Sequence, residues 1–144
     1  MNNPSIFERV KSLNLPLGQY IIIGGVMEAH GIRPARDVDL LVNKELFQQL
    51  KNDGWKRKWF FWRVLRCKLL VKGDTEVFSN YKYKNYRPDT DELIKNADII
   101  EGLPFLPLTE LIKFKSELAR EKDLRDVELM KIFLNTHESK VSEK

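Results

Sequence analysis

The stretch that decides the fold is Tyr20–Val42, YIIIGGVMEAHGIRPARDVDLLV. A run of β-branched residues meets Gly24-Gly25, and a second apolar run, Asp37–Val42, carries two carboxylates one residue apart. The first run reads as a short strand buried on both faces. VMEAHG reads as a short helix with Gly31 as its C-cap, and Pro34 disfavours helix for Arg33, so IRPAR is a loop. DVDLLV is then a second strand. Side chains at i and i+2 of a strand share a side, so Asp37 and Asp39 project together while Val38 and Leu40 face away.

Outward from this stretch, Ser5 and Glu8 have the spacing of a capping box for a first helix, PSIFERVKSL. Asn43 suits the N-cap of KELFQQLKND, which ends at Gly54. WKRKWFFWRVLRCKLLVK, a turn at KGDT and TEVFSNY predict two or three strands. ADIIEGLPFL predicts one more short strand ending at Gly102 and Pro104. Thr109 is the expected cap of a helix ELIKFKSELAR. A final helix, DLRDVELMKIFL, is expected to turn Leu124, Val127, Leu129, Met130 and Phe133 mainly inward. The order implies an α+β (α/β-like) fold with a mixed central sheet, flanking helices and a helical C-terminal end. Residues 1–135 read as one domain and 136–144 as a flexible tail.

The bulk numbers bound the function classes. The chain has 144 residues, with 42% hydrophobic and 32% charged, which suits one globular domain rather than a disordered chain. No targeting segment stands out, and the longest apolar run is far below the ~18 residues that span a bilayer, so no membrane partner is expected. Cys67 is the single cysteine, which excludes an internal disulfide and disfavours a cysteine zinc site. Only His30 and His137 are present, so a histidine zinc site is equally disfavoured. A reducing cytoplasm is the expected compartment.

Two ionised carboxylates this close repel, and are costly if dry and unpaired. They are tolerable beside water, beside Arg or Lys, or around a divalent cation. Mg²⁺ is commonly held by one or two carboxylates plus substrate phosphates. The glycine pair complements this: without Cβ atoms a phosphate can approach the backbone at a helix start. Read alone, Gly-Gly is as well explained by a tight turn.

In this order, these motifs resemble the nucleotidyltransferase superfamily with the DNA polymerase β type of catalytic fold, in particular its small, abortive-infection-toxin-like members. The resemblance covers about residues 20–133 and is least clear over 55–70. Strand, Gly-Gly, short helix and apolar-Asp-apolar-Asp are matched by IIIGGVMEAHG and RDVDLLV. A third carboxylate on a neighbouring strand is matched by Glu76, with Asp74 as competitor in the KGDT turn. A C-terminal Lys, Arg, Lys-Asp-x-x-Asp block is matched by Lys115, Arg120, Lys122, Asp123 and Asp126. The family often has Arg-x-Thr before the acidic pair; here Ala35 stands for the Thr.

The resemblance implies a nucleotidyltransferase that moves an NMP from an NTP to a hydroxyl acceptor: RNA, a protein or a small molecule. It implies Asp37, Asp39 and Glu76 as catalytic and metal-binding residues for Mg²⁺, or Mn²⁺ in its place. Gly24, Gly25, Arg36, Lys115, Arg120 and Lys122 are implied as nucleotide-binding, and an antitoxin-like protein as a partner. The alternative is a catalytically inactive nucleotide- or RNA-binding module on the same fold.

One further segment is ambiguous. Residues 55–72 hold all three tryptophans and seven basic residues without an acid. Either the aromatics are core and the long cations cover them, or bases of tRNA or another RNA stack on Trp55, Trp59 or Trp62 while phosphates meet Arg57, Lys58 or Arg63. Residues 81–87, YKYKNYR, extend that second reading.

Overall fold

A computed structural model describes residues 4–61 and 66–142. One seven-stranded sheet organises the chain. Its strands are β1 (Tyr20–Gly24), β2 (Val38–Val42), β3 (Lys56–Phe61), β4 (Arg66–Lys72), β5 (Thr75–Phe78), β6 (Asp98–Ile100) and β7 (Leu103–Phe105). The spatial order is β3-β4-β5-β2-β1-β7-β6. The helices are α1 (Ile6–Lys11), α2 (Val26–Ala29), α3 (Lys44–Asn52), α4 (Thr90–Lys95), α5 (Leu108–Leu118) and α6 (Glu121–Ser142). The α+β expectation holds at this level.

The central strands are apolar because both their faces are covered. Ile21, Ile22, Leu40, Leu41 and Val42 are fully buried, each worth about 1.5–3 kcal/mol of transfer free energy. β1 and β2 run antiparallel, whereas β2 and β5 run parallel. Local signals set several boundaries. The Ser5 hydroxyl accepts the Glu8 N–H at 3.2 Å, and the Asn43 side chain accepts the Leu46 N–H at 2.8 Å. The 55–78 segment makes three strands, two of them antiparallel neighbours of β4.

Four expectations are corrected. The single strand expected in ADIIEGLPFL is a hairpin, β6–β7. Its turn, Glu101-Gly102, has φ of 49° and 79°, the pair of positive values that a tight hairpin turn requires. Thr109 is not the cap of α5: the helix starts at Leu108, with Pro107 before it and no side-chain cap. α4 was not anticipated, although Asp89 caps it and Asp91 and Glu92 fill its first turn. Leu124 and Leu129 of α6 point outward, 51% and 43% exposed, while Val127 and Met130 are buried. The phase of α6 is set by Asp123 and Asp126, which are buried on the inward face. α6 runs on through Ser142.

The two glycines of the opening stretch are fixed by contact. A Cβ on Gly25, whose φ is 122°, would lie 2.5 Å from the Ile6 side chain. A Cβ on Gly24 would lie 2.7 Å from a carboxylate oxygen of Asp39. Gly25→Ala is expected to cost about 2–5 kcal/mol, from left-handed strain plus overpacking. Gly73→Ala, also at positive φ but with open space around it, should lose only about 1 kcal/mol. Urea denaturation of both variants measures this, and equal losses would contradict the packing role.

Candidate functional site

Asp39 is the hub. Strand pairing places it opposite Gly24 on one side and Glu76 on the other. Directly paired residues share a sheet face, so the Gly24–Asp39–Glu76 row brings the two acidic groups together. The register of β1 shifts between Ile22 and Gly24, a bulge of the kind that re-aims side chains beside functional sites. Asp37 precedes β2 rather than lying within it and is exposed. Its charge still acts on both Asp39 and Glu76.

The electrostatics follow from this crowding. Burial, then the Glu76 and Asp37 charges, push the Asp39 carboxyl up to about 7, with Lys115 pulling the other way. Burial and then Asp37 also raise Glu76, while Lys58 lowers it. Among the described residues none of the three carboxylates makes a salt bridge. Asp74, the competing candidate, occupies the β4–β5 turn and pairs with Arg9 of α1, whose guanidinium also donates to the Arg36 carbonyl at 3.0 Å.

A cleft of about 270 Å³ opens beside Asp39. Gly24, Gly25, Arg36, Asp37, Lys115, Arg120 and Lys122, all anticipated from the sequence, line it together with Asp39. Glu76 does not: it lies one strand further from the glycines, on the opposite flank of Asp39. Thus the structure gathers eight of the nine anticipated residues around one cavity and sets the ninth against its central carboxylate.

The cations on the far wall are held in a network. Asp126 accepts Arg33 Nε at 3.0 Å, Arg33 Nη2 at 2.7 Å and Lys115 Nζ at 2.9 Å. Burial raises the Asp126 pKa, but these donors outweigh it and hold the carboxyl below its ordinary range. Asp123, fully buried, accepts Arg120 Nε at 2.5 Å and lies 3.6 Å from Lys115 Nζ. Asp123 and Asp126 therefore do not lie on a solvated helix face. Arg33, at the Arg position of the Arg-x-Thr motif, also lines the cleft and ties the loop before β2 to α6; it was not anticipated as a site residue because its partner Asp126 is far away in sequence.

Glu28 was missed for the same reason. Its two carboxylate oxygens accept the Ile6 N–H at 2.5 Å and the Ala35 N–H at 2.9 Å. The loop that presents Asp37 is thus pinned through the backbone of Ala35, where the resemblance would place a hydroxyl. His30 packs edge-on against Phe133, with ring centroids 5.4 Å apart. Trp55 is buried and belongs to the core. Trp62 and Arg63, and the side chain of Trp59, lie outside the described residues.

Asp37, Asp39 and Glu76 offer clustered carboxylate oxygens, a donor set that suits a hard cation, and among the described residues none of them has a cationic partner within salt-bridge distance. Among the described residues no group of three His, Cys, Asp or Glu side chains is closed around one point.

Two outcomes test the electrostatics. Folded Asp39 titrates near 7 rather than near 3.8, so between those values the folded chain binds more protons than the unfolded one. Stability should fall as pH rises through that window, and Asp39→Asn should remove the loss. At pH 8 the variant should be more stable by about 2–4 kcal/mol, with no difference below pH ~4. Thermal melts across pH check this, and a pH-independent difference would contradict it. Asp123→Ala, which removes the buried carboxylate shared by Arg120 and Lys115, should cost about 3–5 kcal/mol. Lys113→Ala, at an exposed pair, should stay within about 0.5 kcal/mol in the same denaturation assay.

No protein-family model matches the chain, and neither a curated protein nor a solved structure shows significant similarity to it.

Proposed function

We propose that the protein is a Mg²⁺-dependent nucleotidyltransferase that moves an NMP from an NTP to a hydroxyl acceptor, on a polymerase-β-type fold. The observation that carries this reading is the pairing of Asp39 with Glu76 across parallel strands, beside a cleft that starts at Gly24-Gly25. Asp37 and Asp39, which line that cleft, would hold the cation. When bound, Mg²⁺ supplies charge neutralisation on the phosphates and on the developing negative charge of in-line displacement.

The chain's own residues do the rest. Gly24 and Gly25 line the cleft with backbone, which the triphosphate approaches. Lys115 and Arg120 face the β- and γ-phosphates while Asp123 and Asp126 keep them aimed. Arg36 and Lys122 add positive charge at the rim. Glu76, raised by burial and by Asp37, takes the proton from the acceptor hydroxyl as its oxygen attacks the α-phosphate and pyrophosphate leaves. Asp39 would hold the cation as an ionised carboxylate.

The test uses each α-labelled NTP with Mg²⁺ or Mn²⁺ and total RNA or lysate. Wild type should transfer label. Asp37→Ala and Asp39→Ala should each lower transfer at least ~100-fold, the scale of losing a principal electrostatic group. Nucleotide binding without transfer in the wild type would instead establish the inactive-module reading. Absence of both in a folded protein would refute the proposal.

A further inference from the structure

The carboxylate row does not end at Glu76. Strand pairing extends it through Val71 of β4 to Lys56 of β3, the edge strand. Lys58, two residues on, shares that face. Both lysines are exposed, and among the described residues neither makes a salt bridge. The Lys58 charge reaches Glu76, where it favours the ionised carboxylate. The flank of Asp39 that faces away from the cleft therefore leads from a carboxylate to two lysines on the sheet edge.

We propose that this flank binds the acceptor, and that the acceptor is a single-stranded nucleic acid whose phosphates meet Lys56 and Lys58. The inference rests on the nucleotidyl-transfer reading of the site. The two ammonium groups rise from positions about 6.7 Å apart, two strand steps, so successive phosphates of an extended strand can each find one. A nucleic-acid end offers in one molecule what this flank needs: a polyanion for the lysines and a terminal hydroxyl for Glu76. Acidic protein segments supply charge without that pairing. Lysines on an edge strand also deter sheet-to-sheet association, but that role does not require them on the carboxylate face.

The test measures anisotropy of a fluorescein-labelled single-stranded RNA with full-length protein in EDTA, over a KCl series. Wild type is compared with Lys56→Glu/Lys58→Glu and with Lys51→Glu/Lys95→Glu, two exposed lysines elsewhere that change net charge equally. The β3 variant should bind about 10-fold or more weakly, and its log–log salt slope should be shallower by roughly 1.4, two phosphate contacts. The control variant should stay within about twofold of wild type, since general charge effects are small beside lost contacts. Equal loss in both variants, no loss in the β3 variant, or poly-glutamate binding as tightly as RNA would overturn the proposal. Nucleotide binding to the same variants is read separately with Mg²⁺ and labelled NTP. If wild type binds no NTP, the transferase reading fails whatever the RNA result; if NTP binds and RNA does not depend on β3, only the acceptor assignment fails.

Discussion

Asp39 sits on a central strand with Gly24 pressed against one side and Glu76 paired on the other. Isolated burial of such a group is costly, and here its neighbours Glu76 and Asp37 add repulsion. Much of the surrounding structure accommodates that one carboxylate. Gly24 yields it room, the bulge in β1 turns the strand end toward it, and Lys115 supplies the compensating charge. The cost is the kind that a divalent cation removes.

Lys115 in turn needs its own support. It stands on α5 but is positioned by Asp123 and Asp126 of α6, and Asp126 also grips Arg33 in the loop before β2. One ionic network thus joins the loop carrying Asp37 to the helices carrying the cations. Buried pairs are poor sources of net stability but strict about geometry. That geometry fixes Lys115 on the cleft wall, and the pairing explains why α6 turns its acids inward and leaves Leu124 and Leu129 in water.

The sequence made the apolar strands and most caps legible, since Ile21–Ile23, Ser5 and Asn43 act through local rules. The acidic row was legible because strand periodicity and the order of Gly-Gly, Asp-x-Asp and Glu are visible in one dimension. The phase of α6 was not: apolar spacing alone favours Leu124 and Leu129, and only the tertiary pairing of Asp123 and Asp126 overrides it. The hairpin at Glu101-Gly102 hid because a non-glycine residue takes a positive φ there. Glu28 meets Ile6 and Arg33 meets Asp126 across long separations, so these partners could not be read locally, although Arg33 occupies the Arg position of the Arg-x-Thr motif.

The central claim is that Asp37 and Asp39 hold a divalent cation that carries a nucleotide into the cleft beside Gly24-Gly25. Crystals soaked with Mn²⁺ and a non-hydrolysable NTP test this directly by anomalous scattering. The account predicts a peak at ordinary metal–oxygen distance, about 2.0–2.2 Å, from both aspartates, with triphosphate density running toward Lys115. Nucleotide bound elsewhere, or a cation site without Asp39, would contradict it.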